Sequence, residues 1–440
     1  MKRFSPARNE LRWQVATIVL LFAGYAGVYF CRANLAVAAP LLIADLHLRG
    51  MSINDATLEI GALASVGTLA YAFGKFFLVG FADFFGGKRV FIIAMLGAVV
   101  FTVIFASATS TAIFMLAWVA NRLLQSVGWA GMVKVTSKWF PYAAYGSVMA
   151  ILSLSFLVGD TVTRGGMGAL IAIGFGWRGL FLIGAGALAI LLVANAFVLK
   201  ESSVDAGFSP PPVNPLNVYG ERGAENRPAD VRALLRPLLS SAAFWLVCAL
   251  SFGTTLLRET FGTWTPTFLT TSVGFSAAQG AAYSAIFPAS GVASVLIAGW
   301  LSDRLGATSR ARIAFIGLLL TALALTGLGF ATKGAGLIAL ALLAAVGFFN
   351  SGPYSYLAGA MALDFGGRKG SALSSGIIDG VGYLGGALAG VAIARIELTF
   401  GWSQAFFSLA ILTTITALCA AMLARVQMRR RTYLAARPIA

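Results

Sequence analysis

Charge is what this chain has least of. Asp, Glu, Lys and Arg make up only 11% of its 440 residues, well under the ~25% of an ordinary soluble domain, so a soluble globular chain is excluded. Histidine is nearly absent: His47 stands alone in a short connection. The three cysteines, Cys31, Cys248 and Cys419, are too scattered for a metal cluster or a disulfide framework. No nucleotide-binding glycine loop, ligand cluster or nucleophile constellation is present, so enzyme classes lack support and no cofactor or metal is expected. Long polar stretches are missing as well, with one exception at 200–240, which contains Pro210-Pro211-Pro212 and charges of both signs. Met1–Arg12 is basic, but the apolar run behind it is a full span without a convincing cleavage site.

What fills the chain instead is apolar sequence, 59% of all residues. Runs of about 20 apolar residues, the length that crosses a bilayer, fall near 13–41, 58–82, 89–108, 112–137, 146–174, 178–199, 241–271, 278–302, 312–331, 335–362, 370–396 and 403–424. These predict an all-α polytopic membrane protein of twelve transmembrane helices. The polar stretch divides it into six-helix halves, 1–199 and 241–440, joined by a cytoplasmic loop 200–240. If both termini are cytoplasmic, 23 of the 32 basic residues lie inside and only Arg49, Arg178, Lys333 and Arg395 outside. That asymmetry sets the orientation and explains the net charge of +16 without nucleic acid.

Five cations remain at membrane depth: Arg32, Lys75, Arg122, Arg164 and Arg258. Three acids join them, Asp160, Glu259 and Asp379. A charge at the centre of a span costs roughly 2.5–3.5 kcal/mol on insertion scales, so each needs a partner or a polar cavity. The surplus of positive charge suits an anion, while snorkelling toward an interface is the alternative. Tyr25, Tyr29 and Arg32 are spaced to share one face of the first span, and Tyr71 and Lys75 repeat the tyrosine-plus-cation pattern on the second. Asp379 and Tyr383 stand four apart on the glycine-rich eleventh. Glu259 directly follows Arg258, so the two point about 100° apart and their spacing alone does not pair them. Asp160 and Arg164, four apart, are expected to pair. Most of the nine tryptophans read as interface belts or packing, with Trp129 and Trp264 as cavity candidates.

The halves repeat. Arg32 precedes Pro40 by eight residues, and Arg258 precedes Pro266 by eight. The loop Gly80-Phe81-Ala82-Asp83-Phe84-Phe85-Gly86-Gly87-Lys88-Arg89 finds its counterpart in Gly299-Trp300-Leu301-Ser302-Asp303-Arg304-Leu305-Gly306. Internal repetition of this kind is common in transporter folds.

The first of those loops is similar to the Gly-x-x-x-Asp-(Arg)-x-Gly-(Arg)-(Lys/Arg) signature of the major facilitator superfamily, and Arg122-Leu123-Leu124-Gln125-Ser126-Val127-Gly128 to its fourth-helix Arg-x-x-Gln-Gly motif. More narrowly, the chain resembles the organophosphate:phosphate antiporters, the glycerol-3-phosphate and hexose-phosphate transporters. Arg12-Trp13-Gln14, Gly24 through Pro40, Tyr71 through Phe76, Leu257 through Thr267, Gly352-Pro353 and Gly382 through Gly386 carry that resemblance. It implies the major facilitator fold and a carrier in the inner (plasma) membrane with both termini cytoplasmic, working as a monomer on a small anionic substrate. It implies phosphoryl binding by Arg32 and Arg258, with Tyr25, Tyr29, Tyr71, Lys75 and Tyr383 in the cavity. Asp379 is expected to receive a polar part of the substrate, to neutralise a nearby cation or to carry a proton. Asp83, Asp303, Arg122, Asp160, Arg164 and Glu259 are candidates for coupling or gating.

The chain departs from the family pattern at Phe156, where a fifth-helix histidine is usual, at Ala33, where a basic residue is usual, and at Phe84, where an arginine is usual. Arg32 through Val37 and Ser137-Lys138-Trp139-Phe140-Pro141 are similar to proton-coupled sugar-acid symporters of the same superfamily. Three readings stay open: exchange of an organic phosphate ester for phosphate, proton symport of a sugar acid or other carboxylate, and a transporter-like sensor of a phosphorylated metabolite.

Overall fold

Backbone polar groups in a bilayer have no water to bond to, so apolar runs of this length are forced into helices. The computed structural model bears this out. It describes residues 8–435 apart from 216, 221–223, 226–227, 276–282, 284–285, 307–308 and 332–335. In chain order the helices are α1 (Arg8–Val28), α2 (Asn34–Leu48), α3 (Ile53–Phe77), α4 (Phe81–Phe85), α5 (Gly87–Ser107), α6 (Thr111–Gln125), α7 (Gly128–Trp139), α8 (Tyr145–Ala172) and α9 (Trp177–Val198). After the central stretch come α10 (Val231–Leu239), α11 (Ala242–Phe268), α12 (Ile286–Leu305), α13 (Arg310–Gly329), α14 (Gly336–Ser355), α15 (Ala362–Gly366) and α16 (Ser371–Ala435). α16 covers the last two spans and bends at Gly401, whose φ of +83° no other residue type adopts easily.

Among the described residues nine helical segments are long and apolar enough to cross a membrane, and ten if the bent pair α10–α11 counts as one span. The two predicted spans outside that set are the second, α3, and the fourth, α6–α7. They are the spans that carry Lys75 and, in the fourth, Arg122, Lys134 and Lys138. Elsewhere the helices are apolar all round, and residues such as Ile190 (72% exposed) and Leu323 (68%) face outward, as lipid contact requires.

The chain divides into two compact units, Met1–Phe140 with Ile151–Pro211, and Pro141–Ala150 with Pro212–Ala440. The strip Pro141–Ala150 belongs with the second because its backbone is held there: the N–H groups of Gly146 and Ser147 donate to the Asp303 carboxylate at 2.8 and 2.7 Å, and that of Tyr142 donates to the Pro212 carbonyl. The first unit packs a core of Phe105, Phe114, Trp118, Trp177 and Phe181. The second packs Phe261, Phe268, Phe287, Trp402 and Phe406.

The first predicted span is not one continuous helix. α1 gives way to a 3-10 turn at Tyr29–Cys31, and α2 begins only at Asn34. A regular helix would pair the Cys31 carbonyl with the Leu35 N–H. Here side chains take both: Gln125 Nε2 donates to the carbonyl at 3.3 Å, and the N–H donates to Asn34 Oδ1 at 2.8 Å. Arg32 sits at the break.

Candidate substrate-binding site

In the first unit the site is assembled around one ring. Tyr71, on α3, is 1% exposed. The Arg32 guanidinium lies over it at 4.4 Å from the centroid, that of Arg122 at 4.8 Å, and the Lys75 ammonium at 5.1 Å. Arg32 also stands 5.1 Å from the Tyr29 ring. Three cations from three spans thus share the electron-rich face of a single tyrosine, an attraction that strengthens as water is removed. Lys75 is fully buried and Arg122 nearly so, while Arg32 is half-buried.

Close approach of α3 to α6 makes this possible. A side chain at Gly67 would collide with Trp118 and come within 3.1 Å of Arg122 Cγ; one at Gly74 would come within 3.0 Å of the Leu123 carbonyl oxygen. The two glycines flank Tyr71 at four and three residues, on its own face of the helix. Tyr25 and Tyr29 continue the wall, with ring centroids 6.0 Å apart. Trp129 lies 5.5 Å from Tyr25, and Phe156 lies 6.4 Å from Tyr29. Trp129 is therefore packed into this aromatic cluster. Phe156, at the position usual for a histidine, presents an apolar ring to it.

The second unit has a different balance. Arg258 on α11 lies 5.0 Å from the ring centroid of Tyr354 on α14. Its guanidinium also pairs with Glu259 at 2.5 Å. Helical spacing alone left that pair open; the long, flexible side chains curl toward each other around the helix and bridge the 100° offset. Gly386 gives Glu259 its room, since a β-carbon there would lie 2.9 Å from Glu259 Cγ. Asp379 is buried and Tyr383 half-buried on α16, and both lie within electrostatic reach of Tyr354. Tyr354 was missed in the sequence. Its only signal was position, one residue beyond Gly352-Pro353 on a span whose regular hydrogen bonding gives way to a π-helical turn at Tyr356–Met361.

Among the remaining candidates, Asp83 and Asp303 take part in ion pairs of their own. Asp83 is fully buried and pairs with equally buried Lys134 at 2.9 Å. Asp303 caps the start of α8 as described and stands 3.6 Å from Arg310, which in turn pairs with Asp364 and donates to Ser302. Glu201 plays a comparable capping part for α5, accepting from the Gly87 and Lys88 N–H groups at 2.9 and 2.7 Å and from Lys138 at 2.6 Å. Asp160 is half-buried on α8; the side chain of Arg164 lies outside the described residues, so their expected pairing has no structural account. Trp264 differs from its sequence reading. Its indole N–H donates to the Ala389 carbonyl at 2.9 Å and its ring packs on Trp402, which makes it a core residue. Arg122, assigned from sequence to coupling, stands over the same ring as Arg32. Among the described residues no group of three or more His, Cys, Asp and Glu could hold a metal ion.

A family model described as Major Facilitator Superfamily matches residues 21–390. The chain belongs to the major facilitator superfamily. Over 416 residues it is 24% identical to the glycerol-3-phosphate transporter of Bacillus subtilis, covering 92% of this chain and 91% of that protein. It is 25% identical over 421 residues to a probable hexose phosphate transport protein of Chlamydia pneumoniae, covering 90% and 88%. Among solved structures, the proton:xylose symporter XylE shares the fold with a TM-score of 0.72 at 13% identity, over 93% of this chain and 95% of that one. The protein is thus a polytopic transporter of this superfamily rather than an enzyme.

Proposed function

We propose that this carrier exchanges an organic phosphate ester for inorganic phosphate across the inner membrane, by alternating access. The observation that carries the proposal is the convergence of Arg32, Lys75 and Arg122 on the Tyr71 ring. Three like charges drawn to one ring repel one another, and a phosphoryl dianion is the ligand that relieves the repulsion best. A guanidinium fork matches phosphoryl oxygens bidentately, which an ammonium cannot. Arg32 and Arg258 are the phosphoryl ligands in this reading. Lys75, Tyr25, Tyr29 and Tyr71 complete the first half's contribution, and Tyr383 and Asp379 the second's. The relatives named for glycerol-3-phosphate and hexose phosphate transport support the same substrate class.

In this reading both termini lie in the cytoplasm, an orientation that the basic loops support, and the unit of function is the monomer. Binding drives transport only if the anion makes contacts that differ between inward-open and outward-open states. Asp83, Asp303, Asp160, Arg164 and the Arg258–Glu259 pair are where those contacts are felt as coupling or gating.

Counterflow in proteoliposomes loaded with inorganic phosphate tests this. Saturable entry of labelled phosphate, inhibited by glycerol and hexose phosphates, is the expected result. Arg32→Lys and Arg258→Lys each lose a charge-assisted hydrogen bond of about 1.5–3 kcal/mol, so exchange drops by one to two orders of magnitude. Uptake that follows a proton gradient and ignores internal phosphate would replace antiport with symport of a carboxylate. Saturable binding without any flux would indicate a sensor.

A further inference from the structure

The break at Arg32 is closed by a ring of hydrogen bonds that no substrate role explains. Gln125 on α6 donates to the Cys31 carbonyl at 3.3 Å and, with its other proton, to Asn121 Oδ1. Asn121 donates to Thr102 Oγ1 at 2.9 Å and to the Ala98 carbonyl at 3.1 Å. The Thr102 side chain is hydrogen-bonded to the Cys31 thiol. The path therefore leaves Cys31 at its carbonyl, crosses the fourth and third spans, and returns to Cys31 at its sulfur. Each of these side chains is at most 1% exposed. On the other side of the break, Asn34 accepts the Leu35 N–H that the Cys31 carbonyl has given up.

We infer that Gln125 and Asn34 are positioning residues for Arg32: together they hold the first span open at one peptide and so aim the guanidinium at Tyr71. The physical reason is that a carbonyl and an N–H left buried without partners each keep their full desolvation cost. Without the two side chains the backbone recovers the loss by closing into a regular helix. Closure turns residues after Cys31 about the helix axis relative to those before it. Gln125 also lies three residues from Arg122 on α6, so one helix fixes the carbonyl beneath Arg32 and supplies the second guanidinium on the ring. The role rests on Arg32 being a substrate ligand, as proposed above.

The test uses the whole chain in liposomes and reads Cys31 directly. Labelling by N-ethylmaleimide is followed peptide by peptide, with Cys248, also buried, as the internal reference. Gln125→Met keeps the length of the side chain and removes the donor. Loss of one hydrogen bond of about 0.5–1.5 kcal/mol predicts a roughly 2–10-fold rise in Cys31 labelling, with Cys248 unchanged. The KM for the phosphate ester rises by a similar factor. Asn34→Ala behaves alike, and Asn34→Ser, which keeps an acceptor, restores most of the loss. Unchanged Cys31 labelling overturns the inference, as does equal labelling of Cys248 with a lowered unfolding midpoint, because that is general loosening. Raised labelling with an unchanged KM overturns the link to Arg32. If the unaltered protein moves no phosphate ester at all, the substrate proposal fails, while the labelling still decides whether the break is held by Gln125.

Discussion

Replacing Tyr71 separates the ring from its hydroxyl, and the structure says which matters. The Arg32, Arg122 and Lys75 cations stand 4.4, 4.8 and 5.1 Å from the ring centroid, all within the ~6 Å over which the quadrupole attracts a cation. Each such contact contributes about 0.5–1 kcal/mol at an exposed site and about 2 when desolvated. Arg32 is half-buried, so about 1–2 kcal/mol of its orientation comes from the ring, equivalent to a roughly 5–30-fold change in affinity. Tyr71→Phe keeps the ring, and the KM for phosphate counterflow stays within about threefold of the parent. Tyr71→Leu removes the quadrupole while keeping an apolar side chain, and KM rises by the full factor. The assay is concentration-dependent counterflow in proteoliposomes, normalised to the amount of protein inserted. If Phe is as damaging as Leu, the hydroxyl is the working group and the cation–ring argument is wrong. If neither substitution moves KM, the cluster does not bind the anion.

The buried Asp83–Lys134 pair predicts asymmetry: Asp83→Asn or Lys134→Met alone leaves one charge without its partner and destabilises by about 3–5 kcal/mol, whereas Asp83→Leu with Lys134→Met together restores much of the loss in a thermal unfolding assay. Asp303→Ala removes both acceptors from the start of α8, costs about 1–2 kcal/mol, and speeds hydrogen exchange at Gly146 and Ser147; Asp303→Asn keeps one acceptor oxygen for the two N–H groups, so exchange speeds at one of them and stays near the parent rate at the other. Trp264→Phe keeps the packing on Trp402 but gives up the bond to Ala389, lowering stability by about 0.5–1.5 kcal/mol. Its KM for phosphate does not change, and a clear shift would return Trp264 to the substrate site.

How far the chain could be read in one dimension follows from what a bilayer enforces. Length and apolarity alone dictate helices, because an uninterrupted apolar run of this length satisfies its own backbone in lipid only as a helix. Spacing along one span was equally readable: Tyr29 and Arg32, three apart across the 3-10 turn, and Tyr71 and Lys75, four apart on α3, each meet. Membership of the superfamily followed from the same local signals, and the match over 21–390 agrees. Contacts between helices were decided elsewhere. Which face of α6 meets α3 depends on Gly67 and Gly74 letting two backbones approach, and that is why Arg122 joined Arg32 on one ring. Tyr354 met Arg258, and Trp264 entered the core, for the same kind of reason. The break at Arg32 is the clearest case. Its sequence reads as an unbroken apolar span, and it opens because Gln125, more than 90 residues away in the chain, offers the Cys31 carbonyl a partner that the helix itself would otherwise supply.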